Sequence, residues 1–198
     1  MGTVWKMERK NMAKVFAFVA DGMEEVECLG VCDVLIRAGV EVKLVSVMGR
    51  KEITGSHGFK ITADLLFEDI TDDADVLFLP GGLPGTNHLR EHGELGKMLL
   101  AHAAGEKRLA AICAAPSVLG GLGLTEGHRA TCFPGYEPQM KGADCKGERV
   151  VTDRLITTGR GMGCALDLGL ELVRLLVSEE TAKELRKKIQ YDDVCAAP

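Results

Sequence analysis

Short runs of consecutive apolar residues alternate with longer amphipathic stretches along most of the chain. "KVFAFVA" (14–20), "EVKLVSV" (41–47), "DVLFLPGG" (75–82) and "RLAAIC" (108–113) have the pattern of strands buried on both faces. Between them "DGMEEVECLGVCDVLIRAG" (21–39), a region from about Thr86 to Ala104, and "APSVLGGLGL" (115–124) read as helices. "KEITGSHGFKITAD" (51–64) predicts a small hairpin turning at Gly-Ser-His-Gly, a sequence rich in turn residues. "RATC", "RVVT" and "LITT" predict short strands, and helices over about Cys164 to Val177 and Glu179 to Tyr191 close the chain. Buried strands alternating with helices predict an α/β fold: a doubly wound, mostly parallel sheet sandwiched by helices. Such sheets bind ligands beyond the carboxyl ends of their strands. Three segments fall there: "ADGMEE", "PGGLPG" and "CAAP".

Composition narrows the partners. A length of 198 residues without repeats or linkers fits one domain. That domain is expected over 12–198, because the globular pattern starts only at "MAKVFAFVADG", leaving 1–11 as an N-terminal extension. A net charge of -5 and 5% aromatic residues argue against nucleic acid and against an anionic membrane, since both demand a basic patch. No apolar run approaches the roughly 20 residues of a membrane span. "MGTVWKMERKNM" also lacks the apolar core of a secretory signal, so a cytoplasmic protein is expected. The 7 cysteines include no C-x-x-C, and Cys28 and Cys32, one helical turn apart, are poorly placed for a disulfide. Reduced thiols are therefore expected. His88 and His92 stand four residues apart, but no cysteine or further histidine joins them at metal-ligand spacing, so neither a metal nor a cofactor is expected. "TTGRGMGC" (157–164) follows a strand but lacks the G-x-G-x-x-G spacing of a dinucleotide loop, and reads as a tight turn packing near the site.

Cys113 carries the strongest chemical signal. It ends a strand, and Pro116 suits the first turn of the helix that follows,. That is the outline of a nucleophile elbow, and a helix N-terminus favours thiolate over thiol. The competing reading is one more buried cysteine. The N–H groups of Ala114 and Gly82 are candidates for an oxyanion hole, although "PGG" by itself also fits a plain turn. Asp21 and Glu24 fit an N-cap and its N3 partner, and Glu25 is expected to face solvent. Glu27 shares the sheet-facing stripe with Gly30, Val31 and Val34, where desolvation raises a carboxyl pKa. It is either a protonated partner for the thiolate or a carboxylate snorkelling to water. His88, His92 and His102 are expected at the surface, and His57 is left without a role.

At "AICAAP", "PGG" and "DGMEEVE", with "GSHG", "FPG" and "TTGRG" in order, the chain resembles the ThiJ/PfpI superfamily. The likeness is strongest to its branch of the parkinsonism-associated deglycase and bacterial YajL-like proteins, and extends from about Met12 to Tyr191. The resemblance implies a flavodoxin-like homodimer in which Cys113 is the nucleophile, Glu27 the protonated glutamate beside it, and Gly82 and Ala114 the oxyanion-hole amides. Human-like members carry a histidine where this chain has Phe133. PfpI-like proteases carry one after the cysteine, where this chain has Ala114, and the Cys-His-Glu triad of glutamine amidotransferases has no match downstream. Proteolysis and glutaminase chemistry thus lose their base. The expected activity is a cysteine-dependent, cofactor-free glyoxalase or deglycase, forming a Cys113 hemithioacetal with a reactive aldehyde such as methylglyoxal or acting on a glycated substrate. The alternative is a redox sensor or stress-responsive holdase that uses oxidation of Cys113. A thiamine-biosynthetic role ranks last, for want of a phosphate loop.

Overall fold

The computed structural model describes residues 12–192, so the expected extension over 1–11 lies outside the described residues. In chain order the elements are β1 (Lys14–Val19), α1 (Glu25–Arg37), β2 (Glu41–Ser46), β3 (Glu52–Thr54), β4 (Lys60–Thr62), β5 (Leu65–Leu66), β6 (Val76–Leu79), α2 (Gly85–Glu91), α3 (Gly93–Ala104) and β7 (Arg108–Ile112). They continue with α4 (Pro116–Gly121), β8 (Arg129–Ala130), β9 (Asp144–Cys145), β10 (Val150–Asp153), β11 (Ile156–Gly159), α5 (Ala165–Leu176) and α6 (Glu179–Lys188). A 7-stranded sheet runs in the order β10-β11-β7-β6-β1-β2-β5. Only β10 pairs antiparallel within it. The doubly wound α/β expectation holds.

The pleat distributes the core. Along β1, Val15, Ala17 and Val19 point to one face and Phe16 and Phe18 to the other, the period-2 alternation of a strand. The first face packs on α1 and α5 through Val31, Val34, Leu35, Leu168, Leu172 and Val173. The second packs on α2, α3 and α4 through Leu89, Leu95, Leu99 and Leu119. Because both faces are covered, β1, β6 and β7 carry apolar residues at nearly every position. That is why continuous apolar runs mark them in the sequence.

The chain runs outward from β1 to β2 and β5, then returns to place β6 on the other edge of β1 and continues to β7 and β11. The order of strands therefore reverses between β1 and β6, which opens a crevice at their carboxyl ends. The β3–β4 hairpin closes against that end: Gly22 N–H donates to Thr54 O at 2.8 Å and Ser56 N–H to Met23 O at 2.8 Å.

Three expectations are corrected. The helical region 86–104 is two helices, because His92 is extended and its Nδ1 accepts from Leu95 N–H at 3.1 Å, capping α3. His102 is buried rather than at the surface, with Nε2 3.1 Å from the Arg108 carbonyl oxygen. The last helix stops at Lys188, short of Tyr191.

Phe18 is fully buried and lies beside Phe67, with ring centroids 6.1 Å apart. Phe18→Ala is expected to destabilise the fold by about 3–5 kcal/mol, read as a lowered urea midpoint with unchanged slope.

Candidate active site

Three strand ends meet at the crevice. The first is the elbow after β7. Cys113 sits at φ +64, a left-handed conformation that a residue with a Cβ adopts rarely and at a cost. Backbone hydrogen bonds hold it there on both sides. Cys113 N–H donates to Gly159 O of β11 at 2.9 Å, and Phe133 N–H donates to Cys113 O at 2.8 Å. The "TTGRG" turn thus lies beside the site. Pro116 opens α4 just beyond, where its missing N–H has no helical partner to lose.

The second strand end is the loop after β1. Glu24 is the N-cap of α1, and its side chain accepts from Glu27 N–H at 2.6 Å. This corrects the expected capping box. Asp21 instead accepts from Thr54 N–H at 3.0 Å and pairs with Arg50, tying the β3–β4 hairpin down. Glu27 faces the sheet with 1% exposure.

The third is the loop after β6. Gly81 N–H donates to Glu27 Oε2 at 3.0 Å. A Cβ on Gly81 would lie 2.4 Å from that oxygen and 2.7 Å from Cys113 Cβ, so only glycine lets carboxyl and thiol meet. Gly82 is left-handed at φ +88. Its amide and that of Ala114 face the Cys113 sulfur closely enough to lower the thiol pKa. Cys113, Glu27, Gly82 and Ala114 therefore form one cluster. The Gly81 amide and the backbone groups of Gly159 and Phe133 were not foreseen, because a main-chain contact across strand ends leaves no mark in residue type.

Electrostatics couple the two side chains. Burial raises the Glu27 carboxyl to about 7, and the nearby Glu24 charge adds to the rise; hydrogen bonds from Cys113 and the Gly81 amide oppose it. The Cys113 thiol is also pushed up, to about 12, by burial first and then by the Glu27 charge and hydrogen bond, while the Ala114 and Gly82 amides pull it down. The low pKa expected from the helix N-terminus is thus corrected: desolvation and a neighbouring carboxylate outweigh a helix of only 6 residues,. The pair loses its first proton near neutrality and carries a single negative charge.

At the rim, Glu25 is buried and not solvent-facing as expected. It accepts from His57 N–H at 2.8 Å and Ser56 Oγ–H at 3.1 Å, and its Oε2 lies 3.0 Å from His57 Nδ1. Burial alone would raise its carboxyl, but these donors hold it down at about 2, and Glu25 in turn raises the His57 pKa. Glu24, Glu25 and His57 are the one group among the described residues whose ligand atoms converge within 4.8 Å. Their oxygens already serve the α1 cap and the hairpin, and no metal is assigned to them. Phe133 and Met162 flank a cleft of about 350 Å³ that continues past Arg160 to Cys164. The 6 described cysteines are all free thiols. No helix among the described residues is long and apolar enough to cross a membrane.

A doubly wound α/β sheet with a cysteine on a left-handed elbow and a buried glutamate beside it defines a class of cysteine-centred proteins. The description of the DJ-1/PfpI family matches residues 13–175, and the chain belongs to that family. It is 38% identical over 175 residues to protein DJ-1 homolog B of Arabidopsis thaliana, covering 87% of this chain and 40% of that protein. The chain thus spans less than half the length of that relative. A Pyrococcus abyssi (strain GE5 / Orsay) protein named a deglycase is 34% identical, covering 82% of this chain and 99% of that one. A Caenorhabditis elegans protein named a glutathione-independent glyoxalase is 30% identical, covering 84% and 89%. Among solved structures, oxidised DJ-1 of Toxoplasma gondii superposes with a TM-score of 0.86 at 35% identity, covering 90% of this chain and 98% of that one.

The raised Glu27 pKa has a consequence for stability. Between its ordinary 4.5 and its folded value of about 7 the folded state binds the proton more tightly. The contribution is therefore full below 4.5 and is lost as pH rises through 7. Glu27→Gln is expected to be more stable than wild type at pH 8, by up to about 3 kcal/mol, with the advantage gone near pH 4. Urea melts at the two pH values check this.

Proposed function

We propose that the chain is a cysteine-dependent, cofactor-free glyoxalase or deglycase acting on 2-oxoaldehydes such as methylglyoxal, free or in equilibrium with early glycation adducts. The observation that carries the proposal is the buried Glu27 carboxyl meeting Cys113 across Gly81, where burial raises the carboxyl to about 7. A base is most useful when its pKa lies near the working pH. The names of the archaeal and nematode relatives point to the same chemistry.

In the proposed sequence, ionised Glu27 takes the thiol proton as the sulfur attacks the aldehyde carbon. The carbonyl oxygen becomes an alkoxide, held by the Gly82 and Ala114 amides, and receives that proton to give the hemithioacetal. Glu27 next removes the C1 proton, and the electron pair passes to the C2 oxygen as an enediolate. The proton returns to C2 while the C1 hydroxyl proton passes to the C2 oxygen, leaving an S-lactoyl thioester on Cys113. Water attacks the thioester, lactate leaves and the thiol is restored. The net reaction is methylglyoxal plus water to lactate, with no redox partner.

The second reading, oxidation of Cys113 in a sensor or holdase, is favoured by the same donors. Two amides and a protonated carboxyl also suit the oxygens of a sulfinate. Turnover separates the two. Purified protein is expected to form lactate from methylglyoxal without glutathione, Cys113→Ser to form none, and Glu27→Gln to lose at least about 100-fold in kcat, the scale of general-base catalysis. The wild-type rate should rise with pH through about 7, following Glu27 ionisation. No lactate from folded, reduced wild type would overturn the enzyme reading and leave the sensor.

We also propose that the chain acts as a homodimer through α1 and the β3–β4 hairpin. Exposed Val26, Leu29 and Phe59 line a groove of about 540 Å³ with Gly30 and Ile61, and apolar surface of this kind marks an interface. Light scattering should give twice the chain mass, and Leu29→Asp the single mass.

A further inference from the structure

Cys132 and Cys145 lie apart from both main cores, in a small cluster with Ala130 and Met140 that Tyr136 and Ala143 cover. β8 and β9 pair in parallel with Ala130 opposite Cys145. Cys132, two residues beyond Ala130, packs in the same small cluster as Cys145, and each thiol shifts the ionisation of the other. Cys132 is 3% exposed, whereas Cys145 is half-buried and open to small solutes. Cys28 and Cys32 also adjoin, but they are both buried and stand one turn apart on α1, a poor placement for a disulfide,.

We propose that Cys132 and Cys145 are a second oxidation site, separate from Cys113, that closes to a reversible intramolecular disulfide. The oxidant is a hydroperoxide. Its terminal oxygen transfers to the more open Cys145 sulfur, giving a sulfenic acid and releasing an alcohol or water. The Cys132 sulfur then attacks Cys145, forming the S–S bond; the Cys132 proton and the Cys145 hydroxyl leave together as water. Two thiols are oxidised and one O–O bond is reduced. Burial first, and then the neighbouring Cys145, push the Cys132 thiol up to about 12. The pair is therefore a slow responder, and its closure depends on proximity rather than on a free thiolate.

The backbone on either side of Cys132 ties the pair to the sheet and to the elbow. Thr131 N–H donates to Thr158 Oγ1 at 2.9 Å, and Phe133 N–H donates to Cys113 O at 2.8 Å. Cys132 stands between these two anchors.

The test uses the whole protein. Reduced wild type is treated with hydrogen peroxide, unfolded in N-ethylmaleimide and cut with trypsin without reduction. Cleavage after Arg129, Lys141 and Lys146 puts the two cysteines on separate peptides. The expected product is 130–141 linked to 142–146, two hydrogens lighter than the sum. It should persist in Cys113→Ser, be absent in Cys145→Ser and revert with dithiothreitol. Recovery of both peptides unlinked while Cys113 is oxidised would overturn the proposal. So would either cysteine linked mainly to another cysteine.

Discussion

Two neighbouring acids buried at 1% and partial exposure cannot both be ionised, and the geometry of the crevice follows from that constraint. With both protonated, Glu27 and Cys113 have no charge to spend on chemistry. With both charged, repulsion in a low-dielectric site is large. The stable working state has one charge and one proton between two groups, and the surrounding backbone is arranged to accept either distribution. Gly81 N–H serves the carboxylate, and the Gly82 and Ala114 amides serve the sulfur. Neutral amides do this without adding a counter-charge that would fix the proton in one place. A lysine or arginine in the same position would lower both pKa values and leave no base near neutrality.

Holding sulfur against carboxyl requires a backbone shape that the local sequence disfavours. A left-handed residue with a side chain costs on the order of 1–3 kcal/mol, and nothing between Ile112 and Ala114 offsets it. The compensation comes from far along the chain. Gly159 accepts from Cys113 because β11 pairs in register with β7, placing Gly159 opposite Ile112. Phe133 donates from the excursion that carries β8 and β9. The elbow therefore depends on contacts with the carboxyl-terminal half of the chain, which makes it a product of tertiary structure rather than of the "CAAP" turn.

This division explains what the sequence disclosed. Strands β1, β6 and β7 were legible because two covered faces leave long apolar runs. Cys113 was legible because strand, cysteine and an early helix proline are local. Glu27 was legible from its place on the apolar stripe of α1. Glu25 was misplaced because its partners, Ser56 and His57, lie on the tip of a hairpin about thirty residues away, and helical periodicity sees only its own helix. The same distance hid the use of Asp21 by Thr54 and Arg50. His102 was assigned to the surface by its polar neighbours, yet a single carbonyl at Arg108 suffices to satisfy its ring inside. Ionisation was the hardest to foresee: the helix N-terminus predicted a depressed thiol, and burial reversed the sign.

The same electrostatics restrict the chemistry open to the site. Cleaving an amide requires a general acid to protonate a departing nitrogen after the nucleophile has been deprotonated, a role usually filled by a histidine within reach of both. Phe133 stands where such a ring would adjoin the elbow, and its contribution is a backbone N–H. His57 is held by Glu25 at Nδ1 and lies 4.0 Å from Glu24, at the rim of the crevice. One carboxyl group, able to take a proton and give it back to the same oxygen or carbon, is sufficient for addition to an aldehyde, because addition expels no leaving group. It is equally sufficient to move a proton between adjacent carbons once the substrate is bound to sulfur. On the proposed reading, a site with one mobile proton beside a buried thiol suits substrates that bring their own electrophile, and the only bond it then has to break is to its own sulfur, a better leaving group than an amide nitrogen.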